Sequence, residues 1–175
     1  SNINMLSFNT SENGRATFIG NVNVGAGLDV TGAITGTTDA TINGLTVGKG
    51  ANSVSGNTAV GENALDASVS GGSNTAIGKS ALTTLTSGTS NTAVGLESLE
   101  ANTTGSHNTA VGVRSLEANT TASENTAIGR SAMFSNTTGA SNTAVGRSAL
   151  KANTTGTQNV AIGSTSLDSN TSGAN

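Results

Sequence analysis

The chain has no cysteine, proline, tryptophan or tyrosine, and its aromatic content is three phenylalanines, Phe8, Phe18 and Phe134. Without cysteine there are no disulfides and no thiolate-ligated metal, and the redox compartment stays open. With so few aromatics, the stacking platforms on which sugar-binding sites rely are nearly missing. Charge is also scarce: 10% of 175 residues, with a net charge of −3. So thin a charge offers no basic face, and nucleic acid is not an expected partner. No run approaches the roughly 18 apolar residues of a membrane-spanning helix, so membrane insertion is not expected. No signal peptide is visible and residue 1 is serine, which points to a processed or excised piece. Disordered chains combine low hydrophobicity with high charge. This one is 33% hydrophobic and nearly uncharged, so order is expected.

What is present is a strict repeat. Asn57-Thr58-Ala59-Val60-Gly61 returns from Asn74, Asn91, Asn108, Asn125, Asn142 and Asn159, always 17 residues on. A fixed period of this kind signals a solenoid or fibrous array. The unit reads Asn-Thr-Ala-Val/Ile-Gly-x-x-Ala/Ser-Leu/Met-x-x-Asn-Thr-Thr-Gly-x-x, and its last part is strict only from the third unit. The fold class expected is all-β: a β-solenoid or β-roll fibre of 17-residue coils. Residues 57–175 form seven such repeats, 18–56 an extended β shaft segment, and 1–17 a linker or the end of a preceding module.

The first five positions of the unit predict a short strand, because β-branched Thr and Val/Ile suit a pleated surface and alternate with smaller residues. The invariably apolar fourth position is expected to face the core: Val60, Ile77, Val94, Val111, Ile128, Val145 and Ile162. The ninth position joins it there: Leu65, Leu82, Leu99, Leu116, Met133, Leu150 and Leu167. The opposite strand face is restricted to small residues, which suggests that another backbone passes close by. Those close-packing residues are Ala59, Ala76, Ala93, Ala110, Ala127, Ala144 and Ala161, with Gly61, Gly78, Gly95, Gly112, Gly129, Gly146 and Gly163. The leading asparagines (Asn57, Asn74, Asn91, Asn108, Asn125, Asn142, Asn159) are expected to stack amide on amide as a ladder along the axis. After the Gly, good helix formers behind a Ser predict one tight helical turn or a bend, with a second strand as the rival reading. Asn-Thr-Thr-Gly then reads as a turn.

Each coil brings only two large apolar side chains to its core, which is little for an isolated coil. If three chains shared one axis, their apolar rows would merge and the Ala/Gly face would meet a neighbour. A parallel homotrimer is therefore expected.

The unit resembles repeats of bacteriophage tail fibres, and Gly27–Gly32 with Ile42–Val47 looks like the shaft modules of such fibres. The Ala-Val/Ile-Gly core is similar to the left-handed β-roll heads of trimeric autotransporter adhesins, whose repeat is shorter. The resemblance covers about residues 18–175 and implies a trimeric extracellular fibre, on a virion or a cell surface. It also implies other fibre or tail modules as partners at both ends, and a host receptor engaged only indirectly.

Candidate chemistry is sparse. Gly78-Lys79-Ser80 resembles the end of a phosphate-binding loop, but Ser73 stands where that pattern needs glycine, and Arg130-Ser131 fills the same slots in a later unit. His107 is the single histidine and reads as an exposed loop residue. Glu62, Lys79, Glu97, Arg114, Arg130 and Arg147 form one outer stripe, and Asp66, Glu100, Glu117, Lys151 and Asp168 another. Glu100 and Glu117 should stack as like charges relieved by Arg114. Asn102, Asn119, Asn136, Asn153 and Asn170 each begin a glycosylation sequon but read as turn residues. Phe134 is expected to be the exposed aromatic. No catalytic, cofactor or metal residue is assigned, and an enzyme is not expected. The function expected is a structural one: a tail-fibre shaft that positions a receptor-binding tip. A bacterial adhesin or self-assembling filament is one alternative, and a Thr-rich ice-binding solenoid another.

Overall fold

A computed structural model describes residues 39–42 and 45–174. The expectations for residues 1–17, and for the shaft segment up to residue 38, lie outside the described residues.

The described part is all-β, a single sheet of nine short strands in chain order. Strand β1 (Ala40–Ile42) pairs antiparallel with β2 (Leu45–Gly48), and β2 pairs antiparallel with β3 (Thr58–Gly61). From β3 onward every pairing is parallel: β4 (Thr75–Ile77), β5 (Thr92–Val94), β6 (Thr109–Val111), β7 (Thr126–Ile128), β8 (Thr143–Val145) and β9 (Val160–Ile162). Register is one coil without slip, Thr109 opposite Thr126 and Val111 opposite Ile128. The chain is thus a β-solenoid with 17-residue turns. At about 4.8 Å per parallel step, the stack rises on the order of 30 Å.

The core differs from the expected one. Period-two alternation puts Ala and Val on opposite faces of the strand, and it is Ala that faces inward. Ala59, Ala76, Ala93, Ala110, Ala127 and Ala144 are wholly buried, and Ala161 nearly so. They form one cluster with Leu65, Leu82, Leu99, Leu116, Met133 and Leu150, which enter from the turn. The fourth-position residues face outward instead. Ile77 and Ile128 are 40% exposed, Val111 36% and Ile162 70%, while Val60, Val94 and Val145 are half-buried. The reason is room. The strand Ala, the Leu or Met with the Ala or Ser before it, and one or two Asn fill the inside of so short a coil, and a β-branched chain from the strand would have no space. Leu167 is 48% exposed, because its coil, the last described, is covered on one side only.

The expected close approach of another backbone is present, but the backbone is the chain's own next coil. A Cβ on Gly112 would stand 2.6 Å from the Gly129 carbonyl oxygen, and Gly112 has φ of +136°. The Ala/Gly face is the inside of the coil, so it meets no second chain, and that step toward a trimer does not hold.

Of the expected readings, the bend holds for the segment after each Gly, which is neither a right-handed helical turn nor a strand. It is a turn with left-handed residues at its seventh and ninth positions, such as Glu97 (φ 56°) and Leu99 (φ 50°). Left-handed backbone in bulky residues costs roughly 1–3 kcal/mol each. Hydrogen bonds between coils hold it: Glu97 N donates to Lys79 O (3.0 Å) and Leu99 N to Ser115 O (3.1 Å). A coil therefore keeps this shape because its neighbours fix it, as in other linear repeat folds.

Candidate interaction face

Two asparagine ladders run through the interior. In the first, the backbone N–H of each leading Asn donates to the side-chain oxygen of the one before: Asn74 to Asn57 (2.8 Å), Asn108 to Asn91 (3.0 Å), Asn142 to Asn125 (2.9 Å). Its Nδ2 donates to a carbonyl across the coil, Asn91 to Gly105 O at 2.9 Å. The second ladder consists of Asn102, Asn119, Asn136, Asn153 and Asn170, read from sequence as turn residues alone. Asn119 Nδ2 donates to Asn102 Oδ1 (2.9 Å), Asn136 to Asn119 (3.1 Å) and Asn153 to Asn136 (2.8 Å). The two ladders share an acceptor, since Asn102 Nδ2 also donates to Gly105 O at 3.0 Å. Strictness of the twelfth position was the available signal. The first coils lack this Asn and bury Val69 and Leu85 in that region. Asn102, Asn119, Asn136 and Asn153 are fully buried, so their sequons present no accessible amide in the folded chain, whereas Asn170 is half-buried.

The charged residues lie outside. Lys79 pairs with Glu62 at 3.1 Å, both well exposed. Arg114 bridges Glu97 (3.4 Å) and Glu117, donating Nη2–H to Glu117 Oε1 at 2.9 Å. Its guanidinium lies 4.7 Å from the centre of the Phe134 ring, which is half-buried and not the exposed aromatic expected. Oxygens of Glu97, Glu100 and Glu117 come within 4.8 Å of one another. Burial, then the neighbouring Glu97 and Glu117, push the Glu100 carboxyl above its ordinary value, and Arg114 partly opposes them. The positive partner in this cluster is already supplied by Arg114. His107 is exposed. A cleft of about 330 Å³ near the N-terminal hairpin is lined by Asp39, Thr46, Asn52, Ser53 and Asp66.

The most extensive unpartnered feature is the outward face of the parallel sheet. Four columns run along it. The apolar column is Val60, Ile77, Val94, Val111, Ile128, Val145 and Ile162. Beside it stand Thr58, Thr75, Thr92, Thr109, Thr126 and Thr143, with Val160 last. Among the described residues these strand threonines donate no side-chain hydrogen bond, whereas Thr103, Thr120, Thr137 and Thr154 donate theirs to the next coil at 3.0–3.2 Å. One margin carries the exposed sixth-position residues Glu62, Lys79, Leu96, Val113, Arg130 and Arg147. The other carries Ser73, Ser90, His107, Glu124, Ser141 and Gln158, also exposed. Leu96 and Val113, each 39% exposed, widen the apolar column midway along the stack.

A continuous apolar band of this extent on a chain surface marks an interaction site more often than scattered exposed side chains do. No family model, curated protein or solved structure matches the chain.

Proposed function

We propose that this chain is a structural rod segment of an extracellular fibre, in which copies pack through the outward sheet face as a parallel homotrimer. The observation that carries the reading is the unbroken Val/Ile column on the outside of the parallel strands. Three such columns turned toward a common axis would bury the apolar surface that a single coil leaves in water, at about 25 cal/mol per Å². The rod itself is suited to mechanical work. Each coil is tied to the next by strand pairing, by left-handed turn residues and by the leading Asn ladder, with the second amide ladder added from the third coil on.

In this reading the role is mechanical rather than catalytic. The resemblance of the repeat to tail-fibre shafts makes a virion fibre that carries a receptor-binding tip its natural setting. A bacterial surface adhesin or self-assembling filament would use the same face. Sedimentation and native mass measurement test the core of the proposal: a homotrimer is expected, and a stable folded monomer at micromolar concentration overturns it.

One observation favours a second reading. The free hydroxyls of the strand threonines form a regular row beside the Val/Ile row on a parallel sheet in strict register, the kind of surface that can order water. Ice binding would then replace self-association as the use of this face. Thermal hysteresis by a monomeric sample decides for it, and its absence decides against it.

A further inference from the structure

The two margins of the outward face are not alike, and the difference fixes how copies can meet. At β7 the face is bounded by Glu124 on one side and Arg130 on the other, both exposed and both at the level of the same strand. In no other coil do opposite charges bound the same strand: β4 has Ser73 and Lys79, β5 Ser90 and Leu96, β6 His107 and Val113, β8 Ser141 and Arg147. The ion pairs among the described residues are Lys79 with Glu62 and Arg114 with Glu97 and Glu117, and Arg130 takes part in none of them. Glu124 accepts only the Ser141 hydroxyl, at 3.0 Å. These two residues therefore carry opposite, unneutralised charges on opposite margins of one coil.

We infer that neighbouring copies associate parallel and in register, with Glu124 of one copy facing Arg130 of the next. This rests on the self-association reading above. In any parallel cyclic arrangement with the sheets turned inward, one margin of each face meets the opposite margin of its neighbour. With no axial shift, the Glu124 margin of β7 then meets the Arg130 margin of the neighbouring β7. Shifted by one coil, Arg130 meets Ser141 or His107, and in one of the two directions Glu124 meets Arg147 instead, but a shifted contact climbs along the axis and does not close into a ring. An antiparallel pair related by a two-fold axis across the rods sets like margin against like, bringing the Arg130 and Arg147 side against its own kind. The apolar column supplies affinity without choosing a register, because identical residues recur at every coil. Closure of the ring supplies the register, and Glu124 with Arg130 is the charged contact that the in-register ring makes.

The absence of native cysteine gives a clean test. Within one chain, residues 124 and 130 flank an extended strand and lie too far apart for a disulfide, which needs Cα atoms within about 7 Å. Under mild oxidation the double variant Glu124→Cys/Arg130→Cys is expected to give covalent oligomers on a denaturing gel, and neither single variant is expected to. Arg130→Glu alone should weaken association about tenfold, and Glu124→Arg/Arg130→Glu should restore it. Self-cross-linking of Arg130→Cys overturns the inference. So does a double variant that sediments as an oligomer yet does not cross-link. If the wild-type chain sediments as a monomer, the self-association reading falls first and this inference falls with it, so the two failures are distinguishable.

Discussion

At the residue scale, the interior depends on amides more than on hydrocarbon. The side-chain oxygen of a leading Asn accepts from the backbone of the next coil, so its loss strands that buried N–H, whereas the carbonyl it donates to is shared with the second ladder. Asn125→Ala leaves Asn142 N–H without its acceptor, while Gly139 O keeps a donor in Asn136 Nδ2. The expected cost is roughly 1–3 kcal/mol for the stranded group, read as a lower urea midpoint with an unchanged slope. An unchanged midpoint would remove the ladder from the stability argument. Glu100 acts in the other direction. Its carboxyl is raised in the fold, chiefly by burial and then by Glu97 and Glu117. The folded chain therefore holds that proton more tightly than the unfolded chain does. The group's penalty is fully present above the raised folded value and fades as the pH falls toward the ordinary carboxylate range. Glu100→Gln should gain a few tenths of a kcal/mol at neutral pH, small because the site is largely solvated. The gain should vanish in acid, as thermal melts at paired pH values would show.

At the element scale, the turn after each strand is held in a backbone that few side chains choose. The ninth position is left-handed in every coil, from Leu65 (φ 49°) to Leu167 (φ 49°). Leucine and methionine tolerate it, whereas a β-branched residue there is a steric outlier. Leu99→Ile keeps the volume and should cost at least about 2 kcal/mol more than Leu99→Met. Met133 already occupies the same place in another coil, wholly buried. If the two variants unfold at the same urea concentration, backbone strain does not restrict the ninth position. The strand is constrained differently. Its inner residue is Ala because the opposing Leu and the two ladders leave no space, and its outer residue is free to be large.

At the scale of the whole molecule, the rod separates what holds one chain together from what can join chains. Core and ladders lie inside, and the Val/Ile column lies outside. Val111→Ser with Ile128→Ser removes the middle of that column. Folding stability of the single chain should stay within about 0.5 kcal/mol per site, as for other exposed positions. Association should weaken at least roughly tenfold, measured by sedimentation across a concentration series. A double variant that assembles as the wild type does would move the interface elsewhere. The N-terminal hairpin β1–β2 ends the parallel stack with antiparallel pairing, so the two ends of the rod are unlike. Directional assembly is consistent with that polarity.

The amino-acid sequence by itself determined the period, the strand, the leading Asn ladder and the place of Leu/Met in the core, because each follows from strict recurrence and local backbone preference. It also showed that one strand face admits only small residues. It could not say which face was inside. Alternation separates Thr and Val/Ile from Asn, Ala and Gly, but an apolar Val column and a small Ala/Gly column are each compatible with burial when read along one strand. That choice belongs to the closed coil, whose narrow interior accepts Ala opposite Leu and turns Val outward. The second Asn ladder was hidden for a related reason. Asn-Thr-Thr-Gly has the composition of a surface turn, and only coil closure brings Asn102 and its counterparts beside the first ladder, where Gly105 O accepts from both.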